Sequence, residues 1–262
     1  MRVHVVSDVH GNAEALARAG DGADALLVLG DLVDYVDYAD PTRGILAAAF
    51  GTEAVLRFTR LRTDGRPGEL VAYVRGLWDA LPDAHAVVRD AVREQYARLF
   101  AALPAPTWAT PGNVDVPELW PEFARAGVHV VDGAVAEIGG LRCGFVGGAV
   151  LPEGAVRRSG GAWTPYLRTP AEFRAATEPL RDLDVLCSHV PPAVPDLAYD
   201  VVARRAEVGS ERLLEIVHRD RPRYALFGHV HQPLARRVRV GRTECVNAGY
   251  FRATGRPLVL HW

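Results

Sequence analysis

The chain has 262 residues, 49% of them hydrophobic, and a formal net charge of −2 from 30 basic and 32 acidic residues. That length buries a full core and fits one large domain, and a near-neutral charge in which every basic residue is arginine lacks the excess of a general nucleic-acid binder. No stretch approaches the ~20 apolar residues of a membrane span, no basic segment with a long apolar run opens the chain, and Cys143, Cys187 and Cys245 lie far apart in apolar stretches, so a cytoplasmic protein with buried free thiols and no membrane partner is expected.

The first apolar run, Arg2–Val6, reads as a strand and ends in SDVHGN (Ser7–Asn12), an acid and a histidine two positions apart. Asn12 is a suitable cap for a helix over Ala13–Ala19. ALLVLG (Ala25–Gly30) reads as the second strand and runs into Asp31–Asp34 (DLVD). Between Asp37 and Leu103 no strand is expected. The helical spacing of Val88, Val92, Tyr96, Leu99 and Leu103 predicts one long helix over Asp83–Ala102, Ile45–Arg60 is a weaker candidate, and TDGRPGE at Thr63–Glu69 separates the two. Residues 37–103 are therefore expected to form a helical insertion within a single domain spanning 1–262, either a cap over a site or a layer that touches none.

TWAT (Thr107–Thr110) reads as a third strand and precedes PGNVD (Pro111–Asp115). Val128–Gly148 reads as short strands around glycine turns, an antiparallel section that would make the sheet mixed. A helix is expected over Ala171–Leu180, a strand over Leu183–Cys187 followed by SHV, a helix over Glu211–Val217, and a strand over Tyr224–Phe227 followed by GHVH. Buried strands alternating with helices indicate an α/β fold.

Five of these strands end in polar residues. Asp8 and His10, Asp31, Asn113, His189, and His229 and His231 would meet at the common carboxyl edge where open α/β sheets bind ligands. Each block alone is an ordinary loop; five in order, each behind an apolar run, are not. Imidazole with carboxylate suits manganese, iron, zinc or nickel, and the absence of cysteine from these loops excludes a structural zinc knot. Seven donors are too many for one cation and suit two, with Asp31 as the natural bridge.

Taken together, SDVHGN, GDLVD, GNVD, SHV and GHVH resemble the signature blocks of the calcineurin-like metallophosphoesterases, in a variant with GNVD as the third block. The resemblance implies a four-layer α/β/β/α sandwich of two mixed sheets. It implies one cation on Asp8, His10, Asp31 and His231 and another on Asp31, Asn113, His189 and His229, manganese first with iron, zinc or nickel as alternatives. It implies phosphoester hydrolysis in which Asp31, Asn113, His189 and Asp115 act catalytically. Many relatives have a histidine where this chain has Val114, and that histidine assists the leaving group, so its absence favours phosphodiesters or nucleotide-like substrates. A phosphomonoesterase or phosphoprotein phosphatase, and a non-catalytic scaffold on the same fold, are the alternatives. CVNAGYF (Cys245–Phe251) resembles the closing loop of the family, with Ala248 in place of proline, and Asp34 matches a supporting acid. Asn12, Tyr35, Tyr38 and Arg43 are candidate substrate contacts, and His85 is a weak candidate for a substitute acid. The expected partner is a small phosphoester or nucleotide rather than a nucleic acid.

Overall fold

The computed structural model describes residues 1–152, 154–155 and 162–262. The chain begins with β1 (Arg2–Val6), α1 (Ala13–Leu16) and β2 (Ala25–Leu29), continues through α2 (Gly44–Phe50), α3 (Thr52–Thr63), α4 (Pro67–Asp79) and α5 (Ala84–Ala102), and returns to β3 (Thr107–Thr110) and β4 (Val128–Val130). A hairpin of β5 (Ala134–Ile138) and β6 (Leu141–Val146) follows, then β7 (Ala149–Val150), β8 (Leu167–Arg168), α6 (Pro170–Ala176), β9 (Val185–Ser188), α7 (Pro195–Ala198), β10 (Tyr199–Asp200) and β11 (Arg205–Ala206). The last part holds α8 (Glu211–Asp220), β12 (Tyr224–Phe227), β13 (Arg237–Val240), β14 (Thr243–Asn247), α9 (Phe251–Thr254) and β15 (Leu258–His261).

Among the described residues, two large sheets form, in the orders β15-β1-β2-β3-β4 and β13-β14-β12-β9-β6-β5. In the first, β1 to β4 run parallel and β15 antiparallel to β1. In the second, β6, β9, β12 and β14 run parallel between antiparallel β5 and β13. Both sheets are mixed, as expected.

Alternation along single strands shows the layering. On β2, Ala25, Leu27 and Leu29 join Cys143, Phe145 and Val185 in a core between the sheets, whereas Leu26 and Val28 join Val92, Tyr96 and Phe100 of α5 under the helices. On β9, Cys187 faces the inter-sheet core and Leu186 packs with Phe173 of α6 and Ile216 of α8. The order is helix, sheet, sheet, helix. Strands covered on both faces read as unbroken apolar runs, which is why they are visible in the sequence. The three cysteines are free and buried. No helix among the described residues is long and apolar enough to cross a membrane.

Several boundaries differ from the expectations. The first helix stops at Leu16 rather than Ala19. Ile45–Arg60 is two helices, α2 and α3, because Gly51 between them takes φ 78°. The TDGRPGE break is real but short: Pro67 opens α4, a helix that the breaker residues hid, since proline is favoured at a first helical position. Val128–Val130 extends the first sheet in parallel, so the antiparallel section is confined to the β5–β6 hairpin of the second sheet. The helix expected over Ala171–Leu180 begins at Pro170, with a capping box between Thr169 and Glu172, and ends at Ala176.

Candidate metal centre

The parallel strands β1, β2 and β3 of one sheet and β9 and β12 of the other end on one side of the sandwich, and the loops that leave them carry the seven donors. The two sheets meet directly there: Asp8 Oδ2 accepts the backbone N–H of His229 at 3.0 Å. His10 Nε2 lies 3.3 Å from His231 Nε2, and His231 Nε2 lies 3.3 Å from Asp8 Oδ1. On the other side His189 Nε2 lies 3.0 Å from Asn113 Oδ1. Asp31 stands between the groups. Its Oδ2 is 3.8 Å from His10 Nε2 and its Oδ1 is 3.3 Å from His189 Nε2.

The backbone is forced to make this cluster. Asp8, His10, Asp31 and His229 all lie in the left-handed region, with φ of 57°, 40°, 54° and 65°. Such values are uncommon outside glycine and gather at functional sites. Gly112 and Gly228 are required by close approach: a Cβ at Gly112 would overlap Asp31 Oδ1, and one at Gly228 would overlap Ser7 Oγ and Asp8 Oδ2.

The donors fit divalent cations. His10 Nδ1 is 3.1 Å from the Val33 carbonyl and His189 Nδ1 is 2.7 Å from the Leu29 carbonyl, contacts that place the ring proton on Nδ1 and leave Nε2 free to ligate. His229 Nε2 is buried without a hydrogen-bond partner among the described residues, a costly arrangement for the protein alone. Ligand atoms of Asp8, His10 and His231 lie within 4.8 Å of one another, as do those of Asp8, Asp31 and His189.

Charge in the cluster follows the same geometry. Burial raises the Asp31 pKa, but the facing His189 and His10 outweigh it and hold the carboxyl well below the usual range. Asp8 is likewise held low against its burial, by His231 and His189. Burial works to lower the His189 pKa, yet Asp31 and Asp8 lift the imidazole to about 9. His229, pressed by burial and by His189, falls to about 4.

The other sequence candidates separate. Asp115, a catalytic candidate of the sequence, is 1% exposed and its carboxylate is taken up by the fold. Oδ1 accepts the Leu32 and Val33 N–H groups at 3.1 and 3.2 Å and the Tyr96 hydroxyl at 3.2 Å, and Oδ2 accepts the Gly112 N–H at 2.8 Å. It fixes the loops of Asp31 and Asn113 without facing the site. Asp34 is buried too, and burial followed by Asp37 pushes its pKa up to about 7. Asn12 caps α1 through Oδ1 and donates Nδ2 to the Arg252 carbonyl, so both ends of its side chain serve the fold. Arg43 is exposed and lies outside the cavity that adjoins the donors. Tyr35, Tyr38, His85 and Val114 do line that cavity.

Sequence reading missed three supports. Tyr250 stacks on His231 at 4.0 Å with rings 6° apart, and also meets His10 edge-on. Asn247 Nδ2 donates to the Gly228 and Val230 carbonyls and steadies the GHVH loop. Gln95 on α5 clamps both backbone polar groups of Asp34, at 2.8 and 2.9 Å. The position of Tyr250 and Asn247 in the CVNAGYF loop was the available signal.

Comparison with known proteins agrees with this geometry. The model of the calcineurin-like phosphoesterase family matches residues 1–233. One solved structure is 15% identical over 95% of this chain and 91% of its own, with a TM-score of 0.59. Another, TT1561 of Thermus thermophilus, is 15% identical over 99% of this chain and 98% of its own, with a TM-score of 0.57. At that identity the likeness is one of fold. No curated protein matches the chain.

Proposed function

Because the chain belongs to the calcineurin-like phosphoesterase family, whose members hydrolyse phosphoesters with two divalent metals, we propose that its donor cluster holds two such cations, manganese first among them, and that it cleaves phosphodiesters in preference to phosphomonoesters. The observation that carries this reading is Asp31, one oxygen aimed at His10 and the other at His189. Asp8, His10, Asp31 and His231 would hold one ion, and Asp31, Asn113, His189 and His229 the other. When bound, the two ions polarise the phosphoryl oxygens and acidify the attacking water.

The protein's own residues set the geometry. The carbonyls of Val33 and Leu29 fix the ring faces of His10 and His189. Asp115 and the Tyr96 hydroxyl keep the Asn113 loop against the Asp31 loop. Val114 lines the cavity beside Asn113 and has no proton to give the leaving group, so leaving groups that depart unaided are favoured. Nothing favours the scaffold alternative, since each donor position is filled by a ligating side chain. We place α3 and α4 as a cap over this site, within one domain.

The test is a paired assay on bis(p-nitrophenyl) phosphate and p-nitrophenyl phosphate with manganese. The diester rate is expected to exceed the monoester rate, and Val114→His to shift the ratio toward the monoester. A monoester rate well above the diester rate overturns the preference. Wild-type turnover in a folded Asp31→Asn or His189→Ala variant overturns the site.

A further inference from the structure

The cavity beside the donors is large, about 1650 Å³, and His10, Asp31, Asn113, His229 and His231 form its floor. Ligand pockets ordinarily run to ~300–1,000 Å³, so a phosphoryl group and a small leaving group leave most of this space unfilled. Its roof is α4. Leu70, Val71, Val74 and Trp78 recur at helical spacing and all line the cavity. A helix with an apolar stripe ordinarily buries it against a core. Here Trp78 is the one buried residue of α4 among those whose burial is described; Leu70, Val71 and Val74 are half-buried and line the hollow, Val74 also packing against the core. Phe58 of α3 and Leu81 continue the same surface. The cavity-lining Tyr38 and Val202 are 51% and 74% exposed, so apolar side chains of the lining also reach solvent.

The chemistry of the wall decides what fits. Tyr35 and Trp163 stack on each other with centroids 4.4 Å apart and rings 27° apart, so they leave no slot between them for a base. α4 brings the aliphatic Leu70, Val71 and Val74 to the lining beside Arg75 and Asp79, and Leu151 adds to the apolar part. We propose that the physiological substrate is the phosphoester of an amphiphile, its phosphoryl group at the donor cluster and its alkyl or acyl chain along α4. The proposal rests on the phosphoesterase reading above and deepens it.

Methyl, hexyl and decyl p-nitrophenyl phosphate, with thymidine 5′-p-nitrophenyl phosphate alongside, test it below their aggregation limits. Each buried methylene is worth roughly a factor of four, so kcat/KM is expected to rise by at least ~100-fold from methyl to decyl, mainly through KM. Val74→Glu and, separately, Leu70→Ser are expected to flatten that rise. Decylphosphonate is expected to bind the metal-free protein at least ~100-fold more tightly than methylphosphonate by calorimetry, a readout that needs no turnover. A flat chain-length series, or a thymidine ester preferred over the decyl ester, overturns the proposal. If no ester is hydrolysed, the phosphoesterase reading fails, and tight decylphosphonate binding would still support the chain site; equal binding of the two phosphonates sinks it.

Discussion

Asp115→Asn separates a structural carboxylate from a catalytic one. Asparagine has the same shape but one acceptor. If its carbonyl takes the place of Oδ1, it keeps the Leu32, Val33 and Tyr96 donors, and its NH₂ then faces the Gly112 N–H, donor against donor, across 2.8 Å. In the opposite orientation the Val33 and Tyr96 donors are lost, and the Leu32 N–H keeps only its 3.3 Å contact, to save the Gly112 donor. A buried donor left without a partner costs ~1–3 kcal/mol, and the retained bonds weaken when their acceptor loses its charge. Against this, the variant no longer buries a charge near Asp31; burial first and Asp31 second push the Asp115 pKa up to about 6. The raised pKa costs the charged form about 3 kcal/mol near pH 8, as much as the unpaired donor costs the variant, so Tm should move by no more than a few degrees. Activity should fall through weaker metal retention at Asn113 and Asp31, and excess manganese should restore much of it. A loss of kcat that persists at saturating manganese would refute the structural role and return Asp115 to the chemistry.

Other outcomes follow from the same packing. In Gly228→Ala the new methyl overlaps Ser7 Oγ and Asp8 Oδ2, an overpacking worth ~1–3 kcal/mol; Tm should drop and bound manganese should fall below the wild-type count, and an unchanged metal content would contradict the placement of Asp8. Asp34 has a folded pKa of about 7 against a usual 3.8, so its contribution to stability is fully present below pH 4 and is lost as pH rises to about 7. Asp34→Asn, which mimics the protonated acid, should therefore leave the metal-free protein's Tm nearly unchanged at pH 4–5 and raise it at pH 8, by at most ~4 kcal/mol in free energy; a Tm gain independent of pH would show that the burial argument is wrong. Removal of metal by a chelator should lower Tm reversibly, since an ion at 1,000 times its Kd adds ~4 kcal/mol per site; a Tm indifferent to manganese would mean that the cluster holds none.

What was legible in the sequence was whatever the chain carries locally. A parallel strand buried on both faces must be a continuous apolar run, and its ligand must sit within a few residues of its end, so Asp8, Asp31, Asn113, His189 and His229 announced themselves. Asp115 did not, because its partners are backbone N–H groups at Leu32, Val33 and Gly112, and a backbone donor has no residue type to read. Two residues after Asn113, it reads as chemistry, whereas its oxygens are occupied by those backbone donors and the Tyr96 hydroxyl. α4 was hidden for a different reason. Gly68 and Gly76 lie within it and Pro67 opens it, and these residues weaken a helical pattern although tertiary packing tolerates them. Asn12 carried a correct cap signal, and its side chain is occupied by the Ala15 N–H and the Arg252 carbonyl. The pairing of Tyr250 with His231 depends on two loops that meet only once β12 and β14 lie side by side.

The helical segment between β2 and β3 therefore does two separable jobs. α5 belongs to the scaffold: Val88, Val92 and Phe100 pack into the core under the first sheet, while Gln95 and Tyr96 hold the Asp34 and Asp115 groups that fix the ligand loops. α4 lines the hollow with Leu70, Val71, Val74 and Trp78 and α3 adds Phe58, while Ala54, Val55 and Leu61 of α3 are buried in the packing. Substitutions on the inner face of α4 change what the cavity can hold without moving a donor, because additivity is expected between sites that share no partner. Substitutions at Tyr96 or Gln95 act through the loops and must change metal retention as well as stability. In the proposal above, α4 sets specificity and α5 supports the ligand loops, and the boundary between them is the turn at Ala80–Asp83, where α4 ends and the Asp83 side chain caps α5.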